Sequence, residues 1–261
     1  MNILVCLKMV SQSTFTDLTG TVEEGFNRLS SGNLCMNPAD LYSLELALRV
    51  KDRFDDVCIT VLTMGPLQAD AILREALAMG ADHAIHVCDD AYAGSDTLAT
   101  SAILSEAIRK IPEQDLILCG RKAIDSETGH IGPQIAALLN LSCISGVSIF
   151  HRIEENSTGD PDGYKIWALQ YTESGMQERI LSSPAVLTVI NGTVMIRKPT
   201  ILGLRKAKNK EITVFDRTIV PAAESGTETI RVIEMPFSFR NGEKETNLRK
   251  GIERLAEELS L

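Results

Sequence analysis

Residues 116–132 read LILCGRKAIDSETGHIG, an apolar run, a loop with three glycines and the start of a helix. Leu116, Ile117, Leu118 and Cys119 are unbroken by polar residues, which suits a strand covered on both faces. The loop that follows holds Gly120, Arg121, Lys122, Ala123, Ile124, Asp125, Ser126, Glu127, Thr128, Gly129, His130, Ile131 and Gly132, and Pro133 behind it favours the first turn of a helix. A strand, a glycine-bearing loop and a helix in that order put the loop at the carboxyl edge of a parallel sheet, where open α/β sheets bind ligands. Its composition suits a phosphate: glycines permit close backbone approach, the helix start offers unpaired amides, and Ser126 and Thr128 add hydroxyls. Taken alone, the loop also fits an ordinary connection with a solvated Arg121–Lys122 pair.

Outward from this stretch, short apolar segments alternate with helical patterns. Strands are expected at residues 2–7, 57–63, 83–87 and 142–149, and helices at 40–53, 67–79, 97–110 (opened by Ser95 or Asp96) and 132–141. The alternation predicts an α/β fold, a parallel sheet of five strands with helices on both faces. Two further loops would share its carboxyl edge. Met36-Asn37-Pro38-Ala39-Asp40 precedes a helix that Asn37 or Asp40 could cap, and Thr63-Met64-Gly65-Pro66 ends another strand. Together the three loops imply a nucleotide-sized crevice.

Beyond residue 147 the pattern changes. Residues 164–171, 178–181 and 185–190 read as strands without helices between them, hence as a small antiparallel portion, with residues 154–163 as a hairpin loop. Segment 194–210, opened by Val194 and closed by Lys210, reads as basic and irregular. Residues 1–212 are therefore expected to form an α/β nucleotide-binding domain. Residues 213–261 are expected to form a C-terminal arm, with Leu248, Ile252, Leu255 and Leu259 at helical spacing, that packs on a partner subunit.

Composition narrows the function. Across 261 residues, Lys+Arg is 26 against 35 Asp+Glu, a net charge of −9 that argues against a nucleic-acid-coating surface. No apolar run reaches the roughly 18 residues a membrane helix needs, and no signal-peptide order opens the chain, so a cytoplasmic protein is expected. Cys6, Cys35, Cys58, Cys88, Cys119 and Cys143 are spread singly without a CxxC pair, which reads as reduced thiols rather than a disulfide or metal framework. Dinucleotide, Walker, nucleophile-elbow and zincin motifs are absent, and no side chain stands out as a catalytic acid or base.

Seven stretches in order resemble the electron transfer flavoprotein β subunit over nearly the whole chain: ILVCLKMV from Ile3, Met36-Asn37-Pro38-Ala39-Asp40 with LELALR behind it, ALAMGAD from Ala76, GRKAID from Gly120, PAVLT from Pro184, RKPT from Arg197 and KAK from Lys206. The resemblance implies a fold akin to the adenine nucleotide α-hydrolase group, a larger α subunit as partner, and nucleotide contacts at Cys6, at Asn37, Pro38, Ala39 and Asp40, at Met64 and along Gly120 to Gly132. It also implies that an apolar tip at Ile201 and Leu202, within residues 194–210, docks on an acyl-CoA dehydrogenase.

Family members of this type hold either AMP or, when they bifurcate electrons from NADH, a second FAD. Thr128-Gly129-His130-Ile131-Gly132-Pro133 is more similar to the Thr-x-Gln-Val-Gly-Pro ending of FAD-binding members than to the Asn-x-Thr-Gly-Gln ending of AMP-binding ones, with His130 in place of Gln. FAD is therefore expected, with AMP as the alternative. A nucleotide-binding regulatory or stress-type protein of the same fold group, without redox activity, is the competing class.

Overall fold

The computed structural model describes residues 1–11, 34–155, 163–227 and 248–258. In chain order the elements are β1 (Asn2–Leu7), β2 (Met9–Ser11), β3 (Leu34–Met36), α1 (Pro38–Lys51), β4 (Cys58–Met64), α2 (Asp70–Met79), β5 (His83–Val87), α3 (Thr97–Arg109), β6 (Leu116–Gly120), α4 (Ile131–Leu139), β7 (Ser142–Glu155), β8 (Tyr164–Thr172), β9 (Gly175–Ser182), β10 (Ala185–Val189), α5 (Ile201–Lys208), β11 (Thr213–Phe215) and α6 (Leu248–Glu258). The chain divides into two compact units, residues 1–228 and 229–261.

The first unit is built on one sheet of order β11-β5-β4-β1-β6-β10-β7-β8-β9. It is parallel from β11 to β7, and antiparallel from β7 through β8 to β9. The α/β class is therefore as the alternation of strands and helices implied. In β1, successive residues Ile3, Leu4 and Val5 are fully buried, because both faces are covered. Ile3, Val5 and Leu7 pack in one core with residues of α1 and α2, while Leu4 and Cys6 pack in the other with residues of α3 and α4. Truncating a side chain such as Leu4 to Ala would cost about 2–5 kcal/mol.

Three expectations are corrected. Residues 185–190 were expected antiparallel, but β10 lies between β6 and β7 and runs parallel to both. All five of its residues are buried, which an interior strand requires and an edge hairpin does not. Segment 194–210 was expected to be irregular, yet α5 forms within it. Thr200 Oγ1 accepts from the Gly203 amide at 3.0 Å, and Arg74 Nη1 donates to the Ala207 and Lys210 carbonyls at 2.9 and 2.6 Å, so both ends are satisfied from outside the helix. Finally, residues 213–227 belong to the first unit rather than to an arm. β11 extends the sheet beside β5, and the Tyr92 hydroxyl donates to the carbonyl of fully buried Val220 at 2.6 Å.

The helices otherwise match the apolar periodicity to within a few residues, and Asp96 caps α3 by accepting from the Ala99 amide at 2.8 Å. In the second unit, α6 covers residues 248–258. The expected stripe position Leu259 lies outside the described residues, as does most of the loop expected at 154–163.

Candidate functional site

Chain order reverses direction at β1: the chain moves out to β4 and β5 on one side, then crosses to β6 on the other. Such a switch point leaves a crevice at the carboxyl ends of β1 and β6, the place where open α/β sheets bind ligands. Lys8 follows β1 there, Gly120 ends β6, and α1 begins beside them.

Asn37 and Asp40, expected as caps or ligands, hold these three chain segments together. Asn37 occupies the cap position of α1, but its side chain makes no capping bond. Its Nδ2 donates to the Lys122 carbonyl at 3.2 Å and to Asp40 Oδ1 at 3.0 Å, and its Oδ1 accepts from the Ile124 amide at 3.2 Å. Asp40 accepts from the Lys8 amide at 2.7 Å and from the Gly120 amide at 3.0 Å. Both side chains are buried. Burial pushes the Asp40 carboxyl up to about 7, against the lowering effect of Asn37, of the Lys8 and Gly120 amides and of the Lys8 charge. A Cβ on Gly120 would stand 2.2 Å from Asp40 Oδ1 and 2.8 Å from Ala39 Cβ, so the approach of α1 to β6 requires glycine.

The long loop lies along this edge. Lys8 Nζ donates to both oxygens of Asp125 at 2.7 and 2.8 Å, and Lys122 pairs with Glu127 at 2.9 Å. Among the described residues no carboxylate pairs with Arg121. Its guanidinium packs over Gly129, whose φ of +66° turns the chain toward α4 and whose missing Cβ would meet Arg121 Nη1 at 2.3 Å. Arg121, Lys122, Ile124, Glu127, Thr128 and His130 are exposed, while Ala123, Asp125, Ser126, Gly129 and Ile131 are half-buried. The first amides of α4 have no partner within the helix. With the Arg121 guanidinium over Gly129, they form a donor set suited to a phosphate.

Gly132 is different. It is buried, and a Cβ there would stand 2.4 Å from Thr188 Cγ2 and 3.4 Å from Cys119 Cβ, so the packing of α4 on the sheet requires glycine here. Cys6 and Cys119 are neighbours across β1 and β6, both buried. Hydrogen bonding to Cys6 and burial push the Cys119 thiol well up. Met64 ends β4 at the same edge, half-buried, and Pro38 is half-buried at the start of α1. The sequence reading missed Lys8, whose place directly after the first strand was the available signal. It also left without a role Thr188, the last residue of the PAVLT stretch, and Val189, whose carbonyl accepts from the Arg121 amide at 2.7 Å.

Comparison with known proteins bears on the same residues. The family described as the electron transfer flavoprotein domain matches residues 29–220. The chain is 38% identical to the electron transfer flavoprotein subunit beta of Megasphaera elsdenii, over 86% of this chain and 82% of that protein. It is 35% identical to the protein of the same name from Thermoanaerobacterium thermosaccharolyticum, over 100% and 98% of the two chains. It is 35% identical to the caffeyl-CoA reductase-Etf complex subunit CarD of Acetobacterium woodii, over 83% and 78%.

Proposed function

The chain belongs to the electron transfer flavoprotein family, and from that membership we propose that it is the β subunit of a heterodimeric electron carrier that binds FAD, or alternatively AMP, at the switch point of its sheet. The observation that supports the site is the pairing of the α4 start with Arg121, which has no carboxylate partner among the described residues: an anion of phosphate size would complete both. The Thr128-Gly129-His130-Ile131-Gly132-Pro133 ending favours the larger nucleotide.

When bound, a flavin supplies the redox chemistry, and the work left to this chain is to bind it, orient it and keep water from it. No side chain here need act as acid or base. The α subunit is the partner, NADH is the donor if a second FAD is present, and an acyl-CoA dehydrogenase docks through residues 194–210. In this last role Ile201 and Leu202 are 75% and 61% exposed at the start of a helix held firmly on α2. The relative whose name places it in a caffeyl-CoA reductase complex supports a partner of that chemistry. No helix among the described residues is long and apolar enough to cross a membrane, and we place the protein in the cytoplasm.

Extraction and counting of nucleotides from the purified heterodimer tests the reading. Two FAD and no AMP, with direct bleaching of the flavin band by NADH, is the expected result. One FAD and one AMP without that bleaching would establish the AMP alternative, and absence of any nucleotide on the β chain would overturn both.

A further inference from the structure

The buried carboxylate of Asp40 has no role in the chemistry proposed above, yet every hydrogen bond it makes is to a segment that borders the site. Its Oδ2 accepts from the amide of Lys8, directly after β1, and its Oδ1 accepts from the amide of Gly120, the last residue of β6. Asn37 Nδ2 donates to Oδ1 as well, and the same amide group reaches the Lys122 carbonyl inside the long loop. We infer that Asp40 is the positioning residue of this site: its ionised carboxylate clamps the ends of β1 and β6 to the start of α1 and so sets the gap across which a nucleotide must lie. The inference rests on the nucleotide-site reading only for its functional consequence; the clamp itself is a statement about the chain.

Three donors take three of the roughly four lone-pair sites of the two oxygens, and each bond is charge-assisted while the carboxyl is ionised. The Lys8 ammonium, bonded to Asp125, favours the charged form of Asp40. Burial raises the carboxyl to about 7, so the carboxylate is the main form at pH 8.

The test uses the heterodimer at pH 8, with amide hydrogen exchange at Lys8 and Gly120 and with the affinities of AMP and of FAD. Asp40→Asn should lower both, affinity by about tenfold for one charge-assisted bond lost. Gly120→Ala, whose Cβ would displace the same carboxylate oxygen, should give the same loss, and unchanged exchange in β8 and β9 would show that the fold is intact. Wild-type protection and affinity in Asp40→Asn would overturn the inference. If the wild type binds neither AMP nor FAD, the nucleotide-site reading fails, and the exchange data alone then decide the clamp.

Discussion

Thr188 Cγ2 on β10 lies 2.4 Å from the point that a Cβ on Gly132 would occupy, so α4 meets the sheet where only a hydrogen fits. Gly132→Ala should therefore destabilise the protein by roughly 1–3 kcal/mol, the usual range for overpacking, despite the better helix propensity of alanine. Thr188→Ser removes the obstructing methyl and keeps the hydroxyl that accepts from the Gly146 amide at 3.0 Å. Combined with Gly132→Ala it should restore most of the loss. A double-mutant cycle by urea unfolding measures the coupling, and purely additive effects would show that the two residues do not interact as described.

Arg197 fastens the chain ahead of α5 onto α1. Its Nε donates to Glu45 Oε2 at 3.0 Å and its Nη2 to Asp52 Oδ2 at 2.6 Å, while Arg49 holds the other oxygen of Glu45 at 2.9 Å. Burial by itself would raise the Glu45 carboxyl, but the bonds from Arg197 and Arg49 hold it below its ordinary value of 4.5. Arg197→Ala should cost about 2–3 kcal/mol at pH 7, somewhat under the figure for a fully buried pair because Arg197 is 31% exposed. A depressed carboxyl contributes stability above its unfolded pKa and loses it as pH falls through the folded value, so the gap between wild type and variant should close below about pH 4. Urea midpoints at pH 4 and 7 check this.

Asp40 should show the opposite sign. Its carboxyl sits above the ordinary value of 3.8, at about 7, so its contribution to folding is complete in acid and is lost as pH rises between those values. Charging it should cost on the order of 4 kcal/mol. Asp40→Asn should remove that loss, and the stabilities of wild type and variant should move toward or past each other between pH 5 and 8. Parallel pH profiles would show that Asp40 does not titrate in this range.

Ile201→Ser and Leu202→Ser should leave the melting temperature of the heterodimer nearly unchanged, because both side chains are mostly exposed. Electron transfer to an acyl-CoA dehydrogenase partner should slow by about tenfold or more if these are the central apolar anchors. Stopped-flow reduction with each variant decides it, and unaltered rates would remove the docking role from α5.

Ending the chain after Glu228 deletes the second compact unit and leaves the Thr227 hydroxyl bonded to Asp96 at 3.0 Å. Co-purification with the α subunit should weaken strongly, while the melting temperature of the isolated first unit should change little. Stoichiometric recovery of α with the truncated chain would show that residues 229–261 do not hold the subunits together.

The amino-acid sequence alone determined the α/β class, the positions of most strands and helices, and the glycine-bearing loop at the carboxyl edge, because hydrophobic periodicity and turn chemistry are local. It could not place β10, since an apolar five-residue strand pairs equally well in either direction and only the competition for an interior position in the sheet decides. Nor could it reveal α5, whose propensity is ordinary and whose ends are satisfied by Thr200 and by distant Arg74. The roles of Asn37, Asp40 and Gly132 followed the same rule. Each residue type fitted a cap or a turn by itself, and tertiary packing gave them their intramolecular partners by bringing Lys8, Gly120 and Thr188 within bonding or contact distance, a choice that burial and long-range hydrogen bonding make and sequence spacing does not encode.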